Sequence, residues 1–255
     1  MRLGAAADLR FTETVPEFLE HLSDIGLNHV EFKREYLYAP PEAPDAERIG
    51  ELAESYDMSI TFHAPFRDWN LGSFNDASRR AAVSQVKETL TDAATAGGGA
   101  VVVHGGSVRE HYPTRIREKA YENAVQSLRE CASYAAEVGI PLCLENQPIS
   151  QTNERHTTTP DDLHRMLTHI DAAPEVLRVT LDVGHAKVNG YDWRTFAEQF
   201  ENRITVVHLH DNDGTADQHE PLQNYQDILT TTGAEYNVFE MKSIPDITRS
   251  ASTLE

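Results

Sequence analysis

Short apolar runs alternate with amphipathic segments along the whole chain. Short runs rich in β-branched residues are typical of buried strands, and apolar residues spaced three to four apart are typical of helices. The pattern predicts eight strands, which lie at residues 2–8, 29–33, 59–65, 100–106, 141–147, 178–186, 204–211 and 236–242. Within the sixth of these we interpret Gly184 as a turn that ends the strand.

Helical patterns separate the predicted strands. Clear examples lie at residues 14–26, 76–98, 117–139 and 159–170. Three of them begin at residues that are common N-caps, namely Thr14, Asp76 and Thr159, and three end near a glycine, namely Gly26, Gly97 and Gly139. A short last helix is expected within 244–255, where we interpret Leu254 and Glu255 as a candidate cloning remnant.

Strands that alternate with helices throughout a chain indicate a parallel sheet. Eight such strands are expected to close into a single (β/α)₈ TIM barrel, which typically needs about 250 residues. The chain has 255 residues, and no linker or low-complexity tract divides it. We therefore expect one barrel domain over residues 1–255.

The composition excludes some classes of protein. No stretch approaches the roughly 20 apolar residues of a membrane span, and residues 1–8 become polar too early for a secretory signal, so a cytoplasmic location without membrane contact is expected. The chain has 41 acidic and 22 basic residues, a net charge of −19. This balance argues against a protein that binds the phosphates of nucleic acids through Lys and Arg. Because the acidic residues are spread along the whole chain, it favours adaptation to high salt.

Six consecutive predicted strands end in residue types that commonly bind metals. From the third strand to the eighth these residues are His63, His104, Glu145, Asp182 with His185, His208 with His210, and Glu240. In a barrel these strand ends face one mouth. A single histidine there is more often a packing residue, but carboxylates packed together repel unless a cation lies between them. Mixed histidine and carboxylate ligands suit Zn²⁺, Mn²⁺ or Fe²⁺, so a divalent metal site is expected.

A further pair follows the seventh strand. Asp217 and His219 are two positions apart, so in an extended segment both side chains lie on one side and can bind a metal together. By itself this spacing is weak, because acidic loops are common in this chain.

The chain resembles the xylose isomerase-like barrels, which include the endonuclease IV family (AP endonuclease family 2). The resemblance rests on segments in the family's order, namely FHAPFRDWNLGS, VVVHGGS, LEN, LDVGHAKVNGYD, VVHLHDNDGTADQH and FEMK. The endonuclease IV pattern implies three zinc ions. The ligand sets it implies are His63, His104 and bridging Glu145; Glu145, Asp182, His208 and Glu240; and His185, Asp217 and His219. In the isomerase and epimerase branch the second set alone holds an ion, which is Mn²⁺, Mg²⁺ or Co²⁺.

The resemblance implies isomerisation or epimerisation of a sugar or sugar phosphate as the first hypothesis. A metal-stabilised enediolate would form when a C–H proton leaves, with Glu145 and Glu240 transferring the proton. His185 would hold a substrate hydroxyl. The expected further substrate contacts are Phe66, Trp69 and His210.

Three alternatives stay open. The complete set of nine ligands favours an endonuclease IV-type trinuclear-zinc phosphodiesterase acting on abasic DNA. Against it stand the charge, the short chain, and the absence of a glycine-rich turn after His219. A metal-dependent dehydratase of a cyclic hydroxy acid uses the same kind of barrel. A binding module with structural metals fits the ligands poorly, since structural zinc sites favour cysteine and histidine. Barrels of this group often form homodimers.

Overall fold

Eight parallel strands close into a barrel, which confirms the predicted fold. The structure, a computed structural model, describes residues 1–39 and 43–252, so Leu254 and Glu255 lie outside the described residues. The barrel strands are β1 (Arg2–Ala7), β2 (His29–Lys33), β3 (Ser59–His63), β4 (Val101–His104), β6 (Leu142–Glu145), β8 (Leu177–Asp182), β9 (Ile204–Leu209) and β10 (Tyr236–Phe239). β1 pairs with both β2 and β10, which closes the ring. Two short strands, β5 (Ser107–Arg109) and β7 (Asn153–Arg155), form a separate antiparallel pair.

Helices connect the strands. Within the described residues they are α1 (Val15–Asp24), α2 (Arg34–Tyr38), α3 (Ala46–Ser55), α4 (Asp76–Ala96), α5 (Thr114–Val138), α6 (Pro160–Ile170), α7 (Val183–Val188), α8 (Trp193–Phe200), α9 (Gln226–Thr232) and α10 (Ile244–Ala251), with a 3₁₀ turn at Glu201–Arg203. None of these helices is both long and apolar enough to cross a membrane.

The helix caps follow the predicted chemistry with one exception. Thr14 and Thr159 are N-caps, as predicted, and each accepts a hydrogen bond from the N3 backbone N–H within a complete capping box. The N-cap of α4 is Asn75 rather than Asp76, because the Asn75 side chain accepts from the backbone N–H groups of residues 77 and 78. An asparagine is an equally good N-cap, so the sequence left a choice between neighbours.

The sixth barrel strand is shorter than predicted. β8 ends at Asp182, and α7 begins at the next residue, so His185 lies on a helix and not on a strand. The Asp182 side chain accepts a hydrogen bond from the backbone N–H of His185 at 2.7 Å and caps this helix. Gly184 is required for close packing rather than for a turn, because a Cβ there would lie 2.1 Å from the His210 ring.

Alternate strand residues face opposite sides of the barrel wall. Val101, Val103, Leu142 and Leu144 belong to the large core cluster that includes the helix residues, whereas Val102 and Cys143 belong to a small second cluster. The same alternation places His104 and Glu145 on the side of the second cluster, towards the barrel axis. The strand ends therefore deliver polar side chains to a mouth surrounded by an apolar wall.

Candidate metal centre at the barrel mouth

Each of the eight barrel strands ends in, or is followed by, an ionisable residue at the mouth. In strand order they are Asp8, Lys33, His63, His104, Glu145, Asp182, His208 with His210, and Glu240. The sequence analysis found six of these eight strand ends and missed Asp8 and Lys33. The available signal was the same as for the others, since each of the two lies at the end of a short apolar run.

Glu145 is bound by the histidines of two neighbouring strands. Its Oε2 atom lies 3.2 Å from His63 Nε2 and 3.0 Å from His104 Nε2. The other ring nitrogen of His63, Nδ1, is 2.8 Å from the carbonyl oxygen of Ala64 and donates its hydrogen to it. That bond leaves the Nε2 lone pair free for a ligand. The first expected ligand set is thus brought together on rigid strand ends.

The third expected set meets at Asp217. Its Oδ2 atom lies 3.1 Å from His219 Nε2 and 3.4 Å from His185 Nε2. In both rings Nδ1 faces a backbone carbonyl oxygen, that of Glu240 at 2.7 Å for His219 and that of Asn146 at 2.8 Å for His185. Both Nε2 atoms are thereby oriented towards one point, which is the geometry of paired metal ligands.

The loop that carries this set is held in a constrained conformation. His219 has a φ of +57°, in the left-handed region that non-glycine residues rarely adopt. Lys242 Nζ donates to the backbone carbonyls of Asp217 and Gln218 at 3.0 and 2.8 Å. Such conformations persist where the surrounding structure fixes them, commonly at functional sites.

Three carboxylates and two imidazoles form the centre of the mouth. His208 Nδ1 lies 3.4 Å from Glu145 Oε1, 3.7 Å from Glu240 Oε1 and 3.8 Å from Asp182 Oδ2. His210 Nε2 lies 2.9 Å from Asp182 Oδ2. One histidine therefore faces all three carboxylates from below, and the other contacts Asp182 from the side of the third set.

His210, an expected substrate contact, is buried beside His219. Its side chain is 1% exposed, and its ring stacks on His219 with centroids 4.0 Å apart. It is also absent from the wall of the mouth cavity. The substrate contact expected of His210 stays a prediction, and its position beside His219 also makes it a candidate ligand.

The position of His208 is explained by a residue that the sequence analysis missed. Glu31, on β2, is fully buried, and its Oε1 atom lies 3.0 Å from His208 Nε2. Thr61 donates a hydrogen bond to the other Glu31 oxygen at 3.1 Å. A carboxylate on one ring nitrogen orients the other nitrogen of a metal-binding histidine.

The electrostatics of the mouth fit a cation. Burial acts to raise the pKa of Glu145, but His104 and His208 outweigh it and hold that pKa well below its usual value. Burial likewise acts to lower the pKa of His208, but the carboxylates of Glu31, Glu240 and Glu145 raise it well above its usual value. The buried carboxylates thus stay ionised only with positive charge beside them, which either ring protons or a metal ion supplies.

Two orphaned atoms support the same conclusion. Among the described residues, His210 Nδ1 and Asp217 Oδ1 are buried without a hydrogen-bond partner and lie 3.8 Å apart. Ligand atoms within 4.8 Å of one another occur in five overlapping sets of the described residues, which are His185–His210–Asp217–His219, His63–His104–Glu145, Glu31–His208–Glu240, Glu145–Asp182–His185 and Asp182–His210–Glu240. The residues present therefore fit one or more divalent ions.

A cavity of about 450 Å³ opens above these ligands. Its floor includes Glu145 and Glu240, and Phe66 and Trp69 are in its wall. The Phe66 ring also packs on the ring of His104, with centroids 4.6 Å apart. Both aromatic residues therefore lie where a substrate would contact them.

Lys33, at the end of β2, forms an ion pair with Glu240. Its Nζ atom is 2.9 Å from Glu240 Oε1 and 3.6 Å from Asp8 Oδ2. Burial acts to lower the pKa of Lys33, but Glu240 and Asp8 together raise it. This ammonium group keeps Glu240 ionised and fixes one of its oxygens.

Comparison with known proteins agrees with the geometry. Residues 19–229 match the family model of the xylose isomerase-like TIM barrel. A relative from Methanocaldococcus jannaschii, the uncharacterized protein MJ1311, is 29% identical over 86% of this chain and 73% of its own length. Among solved structures, a D-tagatose 3-epimerase-like protein has a TM-score of 0.85 and 26% identity, covering 100% of this chain and 96% of that one. The 3-keto-D-glucoside 4-epimerase of E. coli has the same fold, with a TM-score of 0.76 and 18% identity, covering 100% and 97% of the two chains.

Proposed function

We propose that this chain, which belongs to the xylose isomerase-like TIM barrel family, is a sugar isomerase or epimerase that depends on a divalent metal ion. The observation that carries the proposal is the pair Glu145 and Glu240, two buried carboxylates at the floor of one cavity beside a set of metal-ligand side chains. The similarity to a D-tagatose 3-epimerase-like protein over the whole chain supports a carbohydrate substrate.

The central ion would be held by Glu145, Asp182 and Glu240 with the Nδ1 atom of His208. This ring nitrogen lies within 3.8 Å of all three carboxylates. His210 would join Asp182 to the neighbouring set of His185, Asp217 and His219. Zn²⁺ and Mn²⁺ fit this donor chemistry, and Mg²⁺ and Co²⁺ are the remaining candidates. A bound ion would polarise the substrate oxygens and stabilise the negative charge that develops on them.

The proton transfer falls to the two glutamates. One would take the proton from the carbon beside the carbonyl group and, in an isomerisation, return it to the neighbouring carbon. In an epimerisation the other glutamate would carry a proton when the substrate binds and would give it to the opposite face of the same carbon. Glu240 is held ionised by Lys33, which suits it to begin as the base. His185, in the cavity wall, would position a substrate hydroxyl, while Phe66 and Trp69 would cover an apolar sugar face.

One observation favours phosphodiester cleavage as a second candidate. The sets His63–His104–Glu145 and His185–His210–Asp217–His219 are each compact enough for an ion of their own. A centre with several metals suits in-line displacement at phosphorus. The net charge of −19 offers little attraction for a DNA backbone, so we place this candidate second.

The experiment is a panel of ketoses and their phosphates, followed by product analysis, with an abasic oligonucleotide in parallel. We expect an isomer or epimer from at least one sugar, and a loss of turnover in Glu240→Gln. Glu198→Gln, which changes an exposed acid on α8, is the matched control and should leave the rate unchanged. Cleavage of the oligonucleotide without conversion of any sugar would reverse the order of the two candidates.

A further inference from the structure

The mouth cavity is rich in basic residues, which lie beside the four carboxylates of Asp8, Glu145, Asp217 and Glu240. Five of the 22 basic residues of the chain line this one cavity, namely Arg10, Lys33, Arg67, Arg155 and Lys242. A bound metal ion does not explain these basic side chains, because the positive charge of the ion repels them. The positive charge therefore calls for a separate explanation.

Three of the five have partners in the protein itself. Arg10 forms an ion pair with Asp8 at 2.7 Å, and Lys33 forms one with Glu240 at 2.9 Å. Lys242 donates to two backbone carbonyl oxygens and holds the loop of the third ligand set. These three cations are accounted for by structure.

Arg67 and Arg155 are paired less completely than these three. Among the described residues, no carboxylate oxygen lies within 4.0 Å of either guanidinium group; Arg67 lies over the Phe66 ring, 5.1 Å from its centroid, and Arg155 donates one hydrogen bond, to the carbonyl oxygen of Pro148 at 2.9 Å. A guanidinium has five N–H donors, so most of the Arg155 donors are left for a ligand.

Arg155 is also held in place and partly removed from water. It lies on β7, where it pairs with Ser107 of β5, so the antiparallel ladder fixes its backbone at the cavity wall. Burial lowers the pKa of Arg155 despite the charges of Asp217 and Glu145. Desolvating a charge without pairing it is unfavourable, and an anion in the cavity would offset that cost.

We propose that Arg155, assisted by Arg67, binds an oxyanion of the substrate, a phosphate monoester or a carboxylate, while the sugar's reacting carbons lie over Glu145 and Glu240. Naming the ligand as a sugar derivative rests on the proposed function. The arginines select a charged sugar over its neutral counterpart, because planar guanidinium groups pair with oxyanions through two parallel hydrogen bonds.

The test is calorimetric titration of the metal-loaded protein at constant ionic strength. The ligands are a ketopentose, its 5-phosphate, a keto sugar acid and inorganic phosphate. In the wild-type protein we expect one anionic sugar to bind at least tenfold more tightly than the ketopentose, and which of the two does so identifies the oxyanion. Arg155→Met should remove about tenfold or more of that advantage and leave the Kd of the ketopentose unchanged. Arg67→Met should remove a smaller part.

The control is Arg48→Met, which removes an exposed arginine on α3 that pairs with Glu51. It should change none of the affinities. Equal affinities for neutral and anionic sugars, or an equal loss of both in Arg155→Met, would overturn the proposal.

Inorganic phosphate separates this proposal from the proposed function. If no sugar is converted, but Arg155→Met still weakens phosphate binding, the isomerase proposal fails and the oxyanion site stands. If sugars are converted but bind equally well with and without an anionic group, the isomerase proposal stands and the oxyanion site fails.

Discussion

The barrel interior has two levels of buried polar residues that differ in how they are satisfied. At the lower level, His29 places one ring nitrogen 2.9 Å from Ser59 Oγ and the other 3.1 Å from Thr61 Oγ1. At the mouth, Glu145 alone is shared by four histidines, and two neighbouring atoms have no hydrogen-bond partner among the described residues. Neutral partners matched one to one indicate a structural role, whereas crowded ionisable groups indicate ligands.

Glu31 joins the two levels. One of its oxygens accepts from Thr61 below, and the other faces His208 above. The comparison is therefore testable at three depths: the mouth, the joining residue and the lower level.

The largest effect is expected at the mouth. Glu145→Ala should abolish turnover, since a positioned carboxylate contributes about 10²–10⁴-fold and this one is also a proposed shared metal ligand. The metal content of the purified variant should fall as well. Rate assays and elemental analysis measure the two effects. Full metal occupancy in Glu145→Ala would show that the residue does not bridge two sites.

A smaller effect is expected at the joining residue. Glu31→Gln keeps the shape of the side chain but weakens its hold on His208 Nε2, so metal affinity should fall by about 10–100-fold, as for other residues that orient a ligand. Competition with a coloured chelator measures the Kd. Thr61→Val, which alters the far side of Glu31, is the matched control and should change the Kd much less. An unchanged Kd in Glu31→Gln would show that Glu31 does not support metal binding through His208.

The lower level should control stability instead. Burial lowers the pKa of His29 from 6.5 to about 4. Because the unfolded state then binds more protons between these values, the free energy of unfolding falls as the pH drops below 6.5, by about 2 kcal/mol at pH 5 from this residue alone. Urea titrations at pH 7 and pH 5 measure the difference. His29→Gln should reduce it by that amount, whereas exposed His111→Gln should leave it unchanged. An equal pH dependence in both variants would remove His29 as the cause.

The smallest effect concerns the surface, because the chain has 41 acidic residues against 22 basic ones. If this charge is an adaptation to high salt, added KCl should raise the Tm because it screens repulsion among surface carboxylates. Metal affinity should change less, since most of the proposed ligands at the mouth are buried. A Tm that falls as KCl is raised would contradict the halophilic interpretation.

The fold and most of the mouth were predictable because both depend on local patterns. Period-two alternation places His104 and Glu145 on the inner face without knowledge of any contact. The role of Glu31 was not predictable, because it depends on which strand lies across the barrel from His208. Nor was the short strand that carries Arg155, since β7 has no apolar alternation. The place of His210 among the candidate ligands was not predictable either, because its burial comes from the stacked ring of His219, which follows it by nine positions.

The most direct test is proton NMR of a ketose panel incubated in D₂O with the metal-loaded protein. The account predicts that deuterium replaces the hydrogen on the carbon beside the carbonyl in at least one sugar, and that chelation of the metal stops the exchange. An absence of exchange in every ketose and ketose phosphate, with the metal shown to be bound, would contradict a proton-transfer isomerase or epimerase.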